Sequence, residues 1–126
     1  MSGAHNIKDE FSQDDVDLLE ASLNGLGGAG SQGSVTLTAA NTWKQVPTSP
    51  PSSPYILQVA PEGPGTNGTF AGVVRQSFTN TGTPSATNGT RFLSGDKYIV
   101  ELQGGEVIYF ASTDATDAVN YIAKVI

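Results

Sequence analysis

From residue 34 onward, apolar and polar positions alternate in short runs broken by Gly, Pro, Ser, Thr and Asn. Val35-Thr36-Leu37-Thr38-Ala39 puts every second residue on one face, the period of a half-buried strand. Trp43 to Val46 is a second short run, closed by Pro47. Residues 47–54, PTSPPSSP, cannot join a ladder, because proline brings no N–H. Tyr55 to Ala60 reads as a third strand, and Thr69 to Phe78 as a longer one with a bulge at Gly72. After the polar loop Thr79 to Gly89, strands are expected over Thr90 to Leu93, Lys97 to Leu102, Glu106 to Ala111 and Ala118 to Val125. The turn Gln103-Gly104-Gly105 predicts a hairpin between the sixth and seventh strands. Eight short strands at roughly 8–12-residue spacing predict an all-β fold, an antiparallel β-sandwich or jelly-roll-like barrel, over residues 34–126.

The later strands carry apolar residues at successive positions. Tyr98, Val100 and Leu102 alternate with Ile99, and Val107 and Tyr109 alternate with Ile108 and Phe110. A sandwich strand needs one apolar face only. Either the sheet is closed and deeply covered, or its second face meets a neighbouring copy. On the second reading Ile99, Ile108 and Phe110 form an oligomer interface.

Residues 1–33 follow a different pattern. Ser12 is a good helix N-cap with Asp15 three residues on, and Phe11 with Val16 has the spacing of a hydrophobic staple. Asp14, Asp15 and Asp17 suit the positive end of a helix dipole. Asn24-Gly25 followed by Leu26 suits a C-terminal cap. One short α-helix is therefore expected over about residues 13–24. Val16, Leu19, Leu23 and Leu26 recur at spacings of three and four and make one apolar stripe. So short a helix is marginal alone in water and must pack on something. The Gly-rich run 25–33 reads as a flexible linker, which decouples what it joins. This favours a docking arm, with Phe11, Val16, Leu19, Leu23 and Leu26 binding a partner, over a helix covering its own β domain.

Charge sharpens this division. The chain has 126 residues and a net charge of −6. In residues 1–33, Asp9, Glu10, Asp14, Asp15, Asp17 and Glu20 oppose Lys8 alone, while the β region is nearly balanced. No basic stripe exists to neutralise phosphates, which argues against a nucleic-acid partner. The sequence contains no cysteine, so neither a disulfide nor a Cys-based metal site is available. No apolar signal region opens the chain and no run reaches membrane-spanning length, so synthesis in a cytoplasm and no membrane partner are expected.

Candidate chemistry is sparse. His5 is the single histidine, so nucleophile–base pairs of the usual kinds cannot be assembled. Glu101 and Glu106 flank a turn, where solvated strand ends are the simpler reading than a catalytic pair. Asp14-Asp15-Val16-Asp17 and Asp114-Ala115-Thr116-Asp117 lack the spacing and closing Glu of a calcium loop. Gly27-Gly28-Ala29-Gly30 lacks the Lys-Ser/Thr of a phosphate loop. Asn67-Gly68-Thr69 and Asn88-Gly89-Thr90 read as turns before glycosylation acceptors. Trp43, Tyr55, Tyr98 and Tyr109 would serve a carbohydrate-binding module if exposed and coplanar, though such aromatics are more often core. No enzyme, cofactor or metal is expected.

The stretch from Val35 to Pro47, VTLTAANTWKQVP, resembles the opening of small β-sandwich virion proteins of tailed bacteriophages. The run from Phe92 to Ala111, FLSGDKYIVELQGGEVIYFA, is similar to their closing hairpin. This resemblance covers most of residues 34–126 and rests on turn-and-strand patterns. It implies a non-enzymatic, oligomeric part of a virion. The leading expectation is a capsid decoration, or cement, protein that binds the major capsid protein through its arm and associates as a homo-trimer. A neck or tail adaptor, or a fibre anchor binding another virion structural protein, is the alternative.

Overall fold

The computed structural model describes residues 30–126. Eight strands form two four-stranded antiparallel sheets packed face to face. β1 (Gly30–Thr36), β8 (Ala118–Val125), β3 (Tyr55–Pro61) and β6 (Tyr98–Leu102) make the first sheet in that spatial order. β2 (Lys44–Val46), β7 (Ile108–Ser112), β4 (Val74–Ser77) and β5 (Thr90–Phe92) make the second. The β-sandwich expected from the alternation is therefore present. The predicted helix at about 13–24 lies outside the described residues.

Alternation explains the core. Tyr55, Leu57 and Val59 of β3 are fully buried, and Ile56 and Gln58 between them are only half-buried. Their ladder partners follow the same phase: Leu102, Val100 and Tyr98 on β6, and Ala123 and Tyr121 on β8, all turn inward with them. From the second sheet Val46, Val74, Phe92, Ile108 and Phe110 close the other side of the core. The Phe92 and Phe110 rings meet edge-on at 5.2 Å, a favoured aromatic geometry. Burying each large aliphatic or aromatic side chain contributes about 1.5–3 kcal/mol, so this single core accounts for most of the stabilisation.

Three sequence expectations are corrected. The hairpin between the sixth and seventh strands does not form: β6 pairs with β3, whereas β7 pairs with β2 and β4 in the opposite sheet. Gln103–Glu106 is a tight turn that carries the chain across the sandwich, with Glu106 N–H donating to Gln103 O. A turn signal fixes a chain reversal but not the sheet it leads to. Here the crossing lets both strands bury their inward residues against one another. The Pro/Ser loop braces the corner. Gly105 N–H donates to Pro51 O, and a Cβ on Gly104 would stand 2.1 Å from Ser52 O.

Residues 30–33, read as linker, are the first half of β1 and pair with Lys124 to Tyr121 of β8. Residues 69–73, read as strand, are instead a loop held by side-chain acceptors. Asp117, fully buried, accepts Ala71 N–H at 2.7 Å, Gly72 N–H at 2.9 Å and Ser112 Oγ–H at 2.7 Å. Thr113 Oγ1 accepts Val73 N–H. The Asp117 carbonyl also accepts Leu37 N–H, so one residue ties three chain segments together. The long polar loop 79–89 has its own anchor in Asn88, whose Nδ2 donates to Thr83 O and whose Oδ1 accepts Ser85 N–H.

Candidate functional site

Since no catalytic constellation is expected, the outward faces of the sheets are the surfaces to weigh. On the first sheet the registers place outward residues in rows. Gln32, Ile122, Gln58 and Ile99 form one row across β1, β8, β3 and β6. Gly30, Lys124, Ile56 and Glu101 form the next. Ile56, Ile99 and Ile122 are half-buried by their neighbours and leave apolar surface facing outward around Gln58. At its β1 margin the face sinks into a shallow depression lined by Gln32, Gly33, Ser34, Asn120 and Ile122, because β1 carries only small or slender side chains there. β1 is also a seven-residue edge strand without charge or proline, and among the described residues its outer edge carries no paired strand.

The apolar runs of β6 and β7 resolve differently from one another. Ile99 is outward, as the interface reading requires. Ile108 and Phe110 are not: both are fully buried between the sheets, and Tyr109 is the residue turned outward. The error is one of phase, since a strand with apolar residues on both faces hides which set meets the core. The other surface positions that matter, Ile56 and Ile122, come from β3 and β8. Each is flanked in sequence by core residues, Tyr55 and Leu57 or Tyr121 and Ala123, and only the register gathers them on the outer face. The predicted arm residues Phe11, Val16, Leu19, Leu23 and Leu26 lie outside the described residues.

The aromatics do not form a flat platform. Tyr55 is in the core, where its hydroxyl donates to the Glu106 carbonyl. Burial, with the Glu106 carboxylate as a lesser cause, pushes its pKa up to about 12. Tyr98 is half-buried and burial raises its pKa also. The Trp43 indole donates to Gly82 O at 3.0 Å and lies over Gly89, where a Cβ would meet the ring at 2.8 Å. These rings serve packing and loop attachment.

Glu101 is exposed on β6, and several other carboxylates are occupied in local structure. Glu106 Oε1 accepts Gln103 N–H, and Asp96 Oδ2 accepts Leu93 N–H, each closing its own turn. Asp114 Oδ1 accepts both the hydroxyl and the N–H of Thr116, which holds its carboxyl below the usual range. Among the described residues no group of three or more His, Cys, Asp or Glu could hold a metal ion. A small cleft opens between β5 and β6, lined by Gln76, Thr90, Arg91, Phe92, Asp96 and Tyr98. The Nε2 of Gln76 there has no partner among the described protein atoms.

The opposite face, on the second sheet, has another character. Arg75 of β4 stands directly across from Arg91 of β5, with Tyr109, Ser77 and Trp43 nearby on the same side. Nothing in the local sequence around either arginine announces this pairing, which only the β4–β5 register creates.

No family model matches the chain, and no curated protein matches it. Among solved structures, a chain from work describing Bacillus endospore appendages as a novel family of disulfide-linked pili gives a structural match. It shares 16% identity at a TM-score of 0.43, over 78% of this chain and 88% of that chain.

Proposed function

We propose that this chain is a structural protein of a tailed-bacteriophage virion that decorates and stabilises the capsid shell. The observation that carries the reading is the outward face of the first sheet, where Ile56, Ile99 and Ile122 are only half-buried by the described residues, on the sheet that residues 1–29 enter through β1. Apolar surface of this kind on a small β module is suited to a protein contact. The strand order β1-β8-β3-β6 over β2-β7-β4-β5 is that of a jelly roll, an architecture used by viral capsid and lectin domains, and it supports the same reading. The acid groups engaged in turns and the aromatics engaged in packing point to a role in contacts.

In this proposal the stripe Val16, Leu19, Leu23 and Leu26 binds the major capsid protein. The Ile56/Ile99/Ile122 face joins copies of the β domain, with a trimer as the expected unit. Many weak contacts repeated over a shell reinforce one another through effective concentration. The test is co-sedimentation with shells stripped of this protein. Full-length chain should saturate them at hundreds of copies per particle, and a chain lacking residues 1–29 should stay folded and remain in the supernatant. Binding by the shortened chain would remove the arm from the proposal. Saturation at about a dozen copies would replace decoration by a neck, tail or fibre-base position.

A further inference from the structure

The second sheet carries charge of one sign. Its four strands contribute Lys44, Arg75 and Arg91 and no aspartate or glutamate. Arg75 and Arg91 face outward side by side, because the alternating residues Val74, Gln76 and Phe92 are buried inward. Like charges directly opposite in a ladder destabilise it unless a counter-charge serves both. Arg75 donates to the Gly89 carbonyl at 3.3 Å, which occupies one N–H and brings no negative charge. Asp96 follows β5 closely in sequence, but its carboxylate closes the turn onto Leu93.

The negative charge of the chain is concentrated elsewhere. Residues 9–20 contain Asp9, Glu10, Asp14, Asp15, Asp17 and Glu20, with no lysine or arginine among them. We infer that the Arg75–Arg91 face receives the acidic segment 9–20 of a second copy of this chain, whose carboxylates supply the missing counter-charge. The topology favours a second copy over the chain's own segment. That segment precedes β1, an edge strand of the first sheet, whereas β4 and β5 form the far half of the second sheet, away from its β2 edge. A chain's own segment has to run round the sandwich and across that sheet to arrive. A neighbour's segment approaches from solvent without the detour. Each copy then offers one acidic segment and one cationic face, a head-to-tail contact that makes rings when its rotation closes. The contact uses the acidic residues and leaves the apolar stripe for another partner, so it stands independently of the shell reading.

The test needs only the purified full chain and sedimentation at several concentrations and salt levels. Wild type should associate further at low salt and lose that part of its association as salt screens the contact. Arg75→Glu with Arg91→Glu should weaken association by about tenfold or more, and so should Asp14→Lys with Asp15→Lys and Asp17→Lys. Neither variant should show salt-sensitive association alone, yet a mixture of the two should, because the three introduced lysines of one now fit the reversed face of the other. Circular dichroism checks folding, and Arg75→Gln with Arg91→Gln gives a milder pair that should also weaken association. A mixture that regains no salt-sensitive association, or a wild type whose association does not weaken with salt, would overturn the inference.

Discussion

Asp117 is the residue whose removal should cost the fold most for the fewest atoms. Asp117→Ala deletes an acceptor set that satisfies Ala71 N–H, Gly72 N–H and Ser112 Oγ–H, all at 2.7–2.9 Å and at a fully buried site. A hydrogen bond to a charged group contributes about 1.5–3 kcal/mol net, and a donor left buried without a partner costs a comparable amount. The three do not add fully, because water can enter the space and the 69–73 loop can shift. A loss of about 3 kcal/mol or more is expected, against about 5–15 kcal/mol for the stability of a whole domain. Asp117→Asn should cost less, about 1.5–3 kcal/mol, since its one oxygen keeps part of the set while its amide nitrogen meets an N–H donor. In urea, with a slope of about 1–1.5 kcal/mol/M, the alanine variant's midpoint should fall by about 2–3 M. Amide hydrogen exchange should show the loss of protection starting at residues 71–73. The reasoning is refuted if both variants unfold within about 0.5 kcal/mol of wild type, or if alanine is tolerated better than asparagine.

Other outcomes follow from the same structure. Tyr55 has its pKa raised from 10.0 to about 12, so the fold favours its neutral form. Stability is then unaffected by this group below pH 10 and declines as pH rises from 10 toward 12, and Tyr55→Phe should flatten that decline in thermal melts above pH 10. Gly104→Ala forces a methyl into the Ser52 carbonyl and should destabilise by about 1–3 kcal/mol, measured by thermal or urea unfolding. Ile122→Asp, on the outward face of β8, should leave the melting curve nearly unchanged while reducing β-domain association in sedimentation. An equal loss of stability would mean that Ile122 serves the core.

Much of the sandwich is legible in the sequence where one strand has one apolar face. β3 and β8 read correctly, since Tyr55, Leu57 and Val59 and then Val119, Tyr121 and Ala123 keep period two throughout. β1 is misread at its start because Gly30 to Gly33 has no strand propensity of its own. It is a strand because β8 supplies the ladder, and Gly33 is accommodated against the Tyr121 ring, which a Cβ would approach within 3.0 Å of the hydroxyl. β4 is overextended because the sequence does not reveal that a carboxylate 45 residues away claims the N–H of Gly72. The candidate surfaces are the least legible. Ile56 and Ile122, like Arg75 and Arg91, become neighbours only through register, and register is a property of the assembled sheets.

The junction at Gly30 also has a mechanical meaning. Whatever holds the residues before it transmits force into the protein through β1, and among the described residues β1 is fastened to the rest of its sheet by β8 alone. A pull along the strand axis loads all seven paired positions from Gly30 to Thr36 at once, so the ladder resists in shear. A pull away from the sheet loads the Gly30–Lys124 pair first and then each pair in turn, so the strand peels. The same seven residues are therefore a strong attachment in one direction and a weak one in the other. The direction in which the chain leaves Gly30 decides how much tension the β domain withstands.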